Sequence, residues 1–187
     1  MKDTIDIISA IDAKGLASRT ESYMLGIALK KVVVFTQWLE ESITQETFAK
    51  EHNFMVTGDH ISGTTNAPQR ALEMNGTLLK DIAITLYGFW ESEGKGYKQM
   101  KERVQDVINA AGGTVVRHLP KSANTSDTNL GDMQLTTLKE RVLLIPKADF
   151  MNTQYGRQIQ KFQVRKVDWL FEHIGTYRRP QVKPTNP

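Results

Sequence analysis

Four histidines, His52, His60, His118 and His173, are the residues to weigh first for metal or acid–base chemistry. They fall on different predicted elements and never at the i, i+4 spacing that sets two imidazoles on one helix face, so no metal site is expected. No Ser, His and Asp set has the context of a nucleophile elbow, and no paired carboxylates occupy a recognisable cleft motif. Gly94-Lys95-Gly96 superficially resembles a phosphate loop, but it lacks the Gly-x-x-x-x-Gly-Lys-Ser/Thr spacing that wraps a nucleotide and reads as a turn. No catalytic residue, cofactor or small-molecule substrate is expected. What remains is chemistry of recognition. Arg19 and Thr20 precede an apolar-periodic segment, where Arg19 taken alone reads as the surface partner of a residue such as Glu21. Lys95, Lys98, Lys101 and Arg103 form a basic group beside a loop.

Composition narrows the class. With 187 residues and 40% hydrophobic content the chain can hold one domain or two small ones. It has no cysteine, which excludes disulfides and thiolate metal sites and suits a reducing compartment. The N-terminus is acidic where a signal peptide needs apolar residues, and no run approaches the roughly 18 to 20 apolar residues that span a bilayer, so a soluble chain without a membrane partner is expected. A formal charge of +3 is too small to imply a nucleic-acid partner, and the basic tail with Arg178, Arg179 and Lys183 reads as a solvated end.

The elements that must position these residues follow from periodicity. Ile5 to Ile11 is β-branched and reads as a strand. Ser18 or Thr20 can cap a helix carrying Tyr23, Met24, Ile27 and Ala28 at helical spacing, and Val32 to Phe35 is a continuous apolar strand. A helix follows, with Trp38, Leu39, Ser42 and Ile43 on its expected inward side. Lys50 to Thr77 contains Gly58, Gly63, Pro68 and Gly76 among polar residues and reads as a linker, with a helical turn over Gln69 to Met74. Leu78 opens a second unit. It comprises a strand through Ile82, Ile84 and Leu86, a loop from Phe89 to Gly96, and a helix from Tyr97 to Ala111 that stops at Gly112-Gly113. Strands at 114–119 and 141–146, a short helix at 155–161, a strand at 163–166 and a helix at 167–177 complete it, and the polar stretch from Pro120 to Thr137 is expected to be a mobile insertion.

A pattern recurs around Trp38 and Trp169. Superposing the two tryptophans also matches Val33 with Val164, Leu39 with Leu170 and Ile43 with Ile174. Each copy reads as a helix end, a short strand and an amphipathic helix with Trp near its start, so two similar domains are expected, each Trp being a core anchor. The second unit reads β-α-β-β-α-β-α, and the first holds only the last four of those elements.

This order, with Gly112-Gly113 after one helix and Trp in the last, resembles the BRCT repeat. Residues 3–45 look like the back half of one repeat and 78–178 like a complete second. The segment Arg19-Thr20-Glu21-Ser22-Tyr23-Met24-Leu25-Gly26-Ile27-Ala28, and the stretch from Phe54 to Asp59 followed by Pro68-Gln69-Arg70-Ala71, are similar to the breast-cancer-susceptibility subfamily of RING-bearing BRCT proteins. The resemblance implies an α/β fold of tandem BRCT repeats, each a small parallel four-stranded sheet flanked by helices. The first is expected to be truncated at its N-terminal side, or else completed by a partner chain. The division it implies is 1–45 for the half repeat, 46–77 for the linker, 78–178 for the second repeat and 179–187 for a flexible tail.

The function implied is a non-catalytic, nuclear, phosphopeptide-binding module of a DNA damage response and repair protein, whose parent could carry a RING ubiquitin-ligase domain. The partner would be a phosphorylated protein with a Ser-x-x-Phe-like motif, its phosphate in the first repeat and its aromatic between the repeats. A phosphate dianion calls for helix N–H groups, a hydroxyl and a cation. Thr20 remains as the hydroxyl, Arg19 lies where the family contacts the peptide main chain, and Met24 and Phe171 fall on the aromatic pocket's walls. The family's phosphate-binding lysine falls on Ser22, and its Ser/Thr-Gly pair has no counterpart. Trp90 either closes a sheet edge or lines the groove. Two further readings stay open, a DNA-binding module using the basic group and a structural fragment with a degenerate pocket.

Overall fold

The computed structural model describes residues 5–87, 95–116, 140–145 and 163–181. The expectations for Trp90, for the insertion at 120–137 and for the helix at 155–161 lie outside the described residues. The chain divides into two compact units, Met1–Leu78 with Phe171–Arg179, and Leu79–Leu170 with Pro180–Pro187.

In unit 1, β1 (Ile5–Ser9) runs parallel to β3 (Val32–Phe35), with Ile8 opposite Val34. Helix α1 (Glu21–Ala28) forms the crossover between them. Thr20 caps α1 as its spacing predicts, in extended conformation with its hydroxyl accepting from the Tyr23 N–H at 3.2 Å. Tyr23, Met24, Ile27 and Ala28 are all buried, an apolar stripe that holds the short helix where propensity alone would not. At its other end Lys30 takes a left-handed φ of 58°, and the Lys31 N–H closes on the Gly26 carbonyl at 2.9 Å.

Helix α2 (Gln37–Thr44) follows β3 directly. Val32 and Val34 lie on one face of β3 and pack with Trp38 and Ala49, while Val33, fully buried, points to the other face. α1 and α3 (Ala67–Glu73) also contact β3, and neither contributes to the Trp38 cluster, so Val33 marks their side of the sheet. The Trp38 indole N–H donates to the Ala49 carbonyl at 3.0 Å. Ser42 donates to the Trp38 carbonyl at 2.7 Å and accepts from the Ala49 N–H at 3.0 Å, tying the following turn to the helix. The expected inward side of α2 is therefore half right. Trp38 and Ser42 are buried, but Leu39 is 45% and Ile43 68% exposed, because the helix rotates to seat the larger indole against the sheet. Phe48, 82% exposed, stacks on Trp38 with ring centroids 5.8 Å apart.

The polar stretch read as a linker is folded into unit 1. β2 (Leu16–Ala17) pairs parallel with β4 (Gly58–Asp59), which pairs antiparallel with β5 (Gly63–Thr64). Glycine is required at Gly58 because a Cβ there would run into the Gly63 carbonyl. α3 buries Ala67, Pro68 and Ala71 and contacts α1. Short polar elements of this kind carry little periodicity, which is why they read as linker.

Unit 2 holds a four-stranded parallel sheet in the order β7 (Thr114–Val115), β6 (Ile82–Leu86), β8 (Glu140–Ile145), β9 (Val164–Lys166). α4 (Lys95–Ala110) crosses from β6 to β7 and buries Val104, Val107 and Ile108. Lys95 and Gly96, expected in a loop, form its first turn. It stops at Gly112, whose φ is 78°, with the Gly113 N–H returning to the Ile108 carbonyl at 2.9 Å. α5 (Val167–Thr176) carries the second Trp; its first residues belong to unit 2 and its last to unit 1. Leu170 and Ile174 are fully buried, whereas Trp169 is partly exposed and so less of a core anchor than its counterpart.

Candidate functional site

The polar centre of unit 1 is built on Arg19, the residue before the α1 cap. Its Nε and Nη2 donate to Asp59 Oδ1 and Oδ2, each at 3.1 Å, and Nη2 also donates to the Ser62 hydroxyl. The pair is bidentate and shielded, the Arg19 side chain being 12% exposed and that of Asp59 fully buried. Asp59 Oδ1 also accepts the N–H groups of Ile61 and Ser62, both at 2.8 Å, in the turn between β4 and β5. The hairpin therefore presents Asp59 and Ser62 to Arg19 as one preassembled acceptor. The expectation that Arg19 pairs with a nearby surface residue such as Glu21 is replaced by a contact 40 residues away.

The last turn of α5 abuts this group. A Cβ on Gly175 would lie 2.8 Å from Arg19 Nη2 and 2.9 Å from both Asp59 Oδ2 and Ser62 Oγ, so a larger residue there would have to push these side chains aside. Thr65 donates its hydroxyl to the Gly175 carbonyl at 2.7 Å and Arg70 reaches the Thr176 carbonyl at 3.4 Å. These donors satisfy carbonyls that a helix C-terminus leaves without partners, and the Arg70 charge complements the helix dipole there.

Arg19, Thr20, Ser22 and Met24 are thus gathered at the N-terminal end of α1. Arg19 is held rigid, Thr20 spends its hydroxyl on the helix cap, and Ser22 stands exposed in the first turn. Met24 is buried at 2% exposure and belongs to the core, while Phe171 is half-buried on α5. Tyr23, beside them, is fully buried and its hydroxyl has no hydrogen-bond partner among the described residues. Burial, and after it the Asp59 carboxylate, push its phenol well above the usual range. Of the basic group, Arg103 is exposed and Lys101 half-buried on α4. Among the described residues no cluster of acidic and histidine side chains could hold a metal, and no helix is long and apolar enough to cross a membrane. Sequence reasoning missed Asp59, Ser62, Thr65, Arg70 and Gly175 as parts of this centre. Asp59 and Arg70 lay within the stretches quoted for the resemblance, but nothing in their spacing points to a residue 40 or more positions away.

This architecture is that of tandem BRCT-like repeats. The BRCT5–BRCT6 domains of S. pombe Brc1 match it with a TM-score of 0.60 over 92% of both chains, at 14% sequence identity. No family model matches the chain. Its sequence is remotely homologous to the breast cancer type 1 susceptibility protein homologs of Mus musculus, 25% identical over 181 residues, and Rattus norvegicus, 28% identical over 182 residues. The matches cover 95% of this chain and 9% of either relative, so the chain spans a small part of their length. The BRCA1-associated RING domain protein 1 of Arabidopsis thaliana is 26% identical over 135 residues, 71% of this chain and 18% of that protein.

Proposed function

We propose that this chain is a non-catalytic interaction module that binds a phosphorylated, Ser-x-x-Phe-like peptide of a partner protein, within a nuclear protein of the DNA damage response. The observation that carries the reading is the clamped guanidinium of Arg19. Asp59 and Ser62 take Nε and Nη2, so the side chain cannot swing to meet a mobile anion. A rigid donor at the threshold of a helix suits a peptide carbonyl, whose position is fixed by the strand or turn that bears it. The exposed first turn of α1, with Ser22, lies next to it for the phosphate. The remote homologues support the setting, one named for breast cancer susceptibility and another for a RING domain. Attachment to a ubiquitin-ligase complex is part of the same proposal.

The phosphate half of such a site is weak here, since serine stands where a cation would serve. Titration with matched Ser-x-x-Phe peptides, phosphorylated and not, at two salt concentrations tests the reading. Phosphate-dependent binding is expected, and Ser22→Lys should tighten the phosphopeptide about tenfold, ~1.4 kcal/mol, without changing the unphosphorylated one. Equal affinity for both peptides in the variant would exclude phosphate recognition at α1. A steep loss of affinity for DNA with rising salt, in the absence of peptide binding, would favour the nucleic-acid reading instead.

A further inference from the structure

Two carbonyls at the end of α5 are held by donors from elsewhere in unit 1. The Thr65 hydroxyl takes the Gly175 carbonyl at 2.7 Å, and Arg70 Nη1 takes that of Thr176 at 3.4 Å. The residue that would continue the helical ladder to Thr176 is Pro180, which has no N–H to give. The turn is also weak by composition. Gly175 lowers its helix propensity, and Tyr177 takes a left-handed φ of 44°, a conformation that strains a side chain bearing a Cβ. Held from outside, the turn lies on the polar centre. The Gly175 backbone packs against Arg19 Nη2, Asp59 Oδ2 and Ser62 Oγ, and the Asp59 side chain is fully buried.

Both donors belong to the segment that also holds Arg19. Thr65 follows β5 directly, and its N–H is fixed on the Thr57 carbonyl at 3.1 Å. Arg70 stands on α3, which is anchored through buried Ala67, Pro68 and Ala71. Residues 59–70 therefore grip the Arg19 guanidinium through Asp59 and Ser62, and its cover through Thr65 and Arg70. Arg19 Nη1 has no partner among the described residues and is the donor left to meet a ligand. Its direction depends on how firmly Nε and Nη2 are kept.

We propose that Thr65, assisted by Arg70, is a positioning residue for Arg19. By holding the last turn of α5 over the Arg19–Asp59 pair, it keeps water from competing for the guanidinium and so fixes where Nη1 points. A charge-assisted bond shielded from water is stronger than the same bond in contact with it, so lifting the cover loosens the pair. The consequence for peptide affinity rests on the reading of Arg19 as the donor to a peptide carbonyl, whereas the effect on the pair itself does not.

Thr65→Val removes the hydroxyl and keeps the shape, and Thr65→Ser returns it. The direct readout is solvent exchange of the Arg19 Nε–H, followed by heteronuclear NMR on the whole chain. The backbone amide of Ile27, buried in α1, is the control for unfolding of unit 1. Thr65→Val is expected to speed Nε–H exchange about tenfold and to leave Ile27 unchanged, with Thr65→Ser restoring the wild-type rate. The phosphorylated Ser-x-x-Phe peptide should bind Thr65→Val about tenfold more weakly. Unchanged Nε–H exchange in the double variant Thr65→Val and Arg70→Ala overturns the proposal. An equal rise at Ile27 also overturns it, because Thr65 would then serve only the stability of the unit, as does faster Nε–H exchange with undiminished peptide affinity. Faster Nε–H exchange in the variant of a chain that binds no peptide even as wild type supports the positioning role and removes the peptide reading instead.

Discussion

Arg19 and Asp59 form the interaction on which the candidate site depends most. The carboxylate is fully buried, so its desolvation is offset only while the guanidinium and two backbone N–H groups remain in place. Arg19→Ala should destabilise unit 1 by about 3 kcal/mol, because it strands a buried charge, whereas Arg19→Ala with Asp59→Ala should cost less than the sum of the single changes. Urea denaturation of the four species measures the coupling, and strict additivity would mean the pair is structurally idle. Tyr23 offers the opposite case. Its buried hydroxyl finds no partner among the described residues, so Tyr23→Phe should leave stability unchanged or raise it by about 1 kcal/mol. It also carries a pH signature. The folded phenol titrates above the ordinary value of 10.0, so stability from this group is complete below pH 10 and falls as the unfolded chain ionises at higher pH. Tyr177 is raised by burial in the same direction, and Tyr23→Phe should therefore reduce the alkaline loss without abolishing it. An unchanged alkaline profile in the variant would remove Tyr23 from this account.

At the scale of elements, short pieces are held by specific ends and by one apolar face. α1 has eight residues, too few to be stable alone, and relies on the Thr20 cap and on the stripe through Tyr23, Met24 and Ile27. Thr20→Ala should cost about 1 kcal/mol and, by fraying the first turn, displace Arg19 and Ser22 from the proposed peptide site. Thermal melts and peptide titration together check this; stability lost without affinity would separate the cap from recognition. The β4–β5 hairpin is built by glycine at Gly58 and by the turn that Asp59 closes, so one carboxylate both shapes its own loop and anchors Arg19. α2 shows how a pattern can mislead. Trp38, Leu39, Ser42 and Ile43 span more of the helix circumference than one small sheet can cover, and the indole takes the place that its size and its bond to Ala49 demand.

For the whole molecule, the two units differ in how their sheets are secured. Among the described residues β6 is paired on both sides and β1 on one, so backbone amides of β1 should exchange at least tenfold faster than those of β6 in the chain alone. Equal protection would mean that something else closes the β1 edge. Much of this was determined by the sequence alone: the repeat around the two tryptophans, the Thr20 cap, the strand at 32–35 and the helix stop at Gly112-Gly113 are all local signals, fixed by side-chain period and by backbone conformations that few residues allow. The α/β class followed from their order. Only the tertiary structure decided that the polar stretch over 50–77 folds into unit 1, that Arg19 belongs to Asp59 rather than to a helix neighbour, and that Gly175 is small so that α5 can approach them. These are contacts between residues 40 to 156 positions apart. Charge pairing and close approach have no period along the chain, so they become legible only when folding brings the partners within hydrogen-bonding distance.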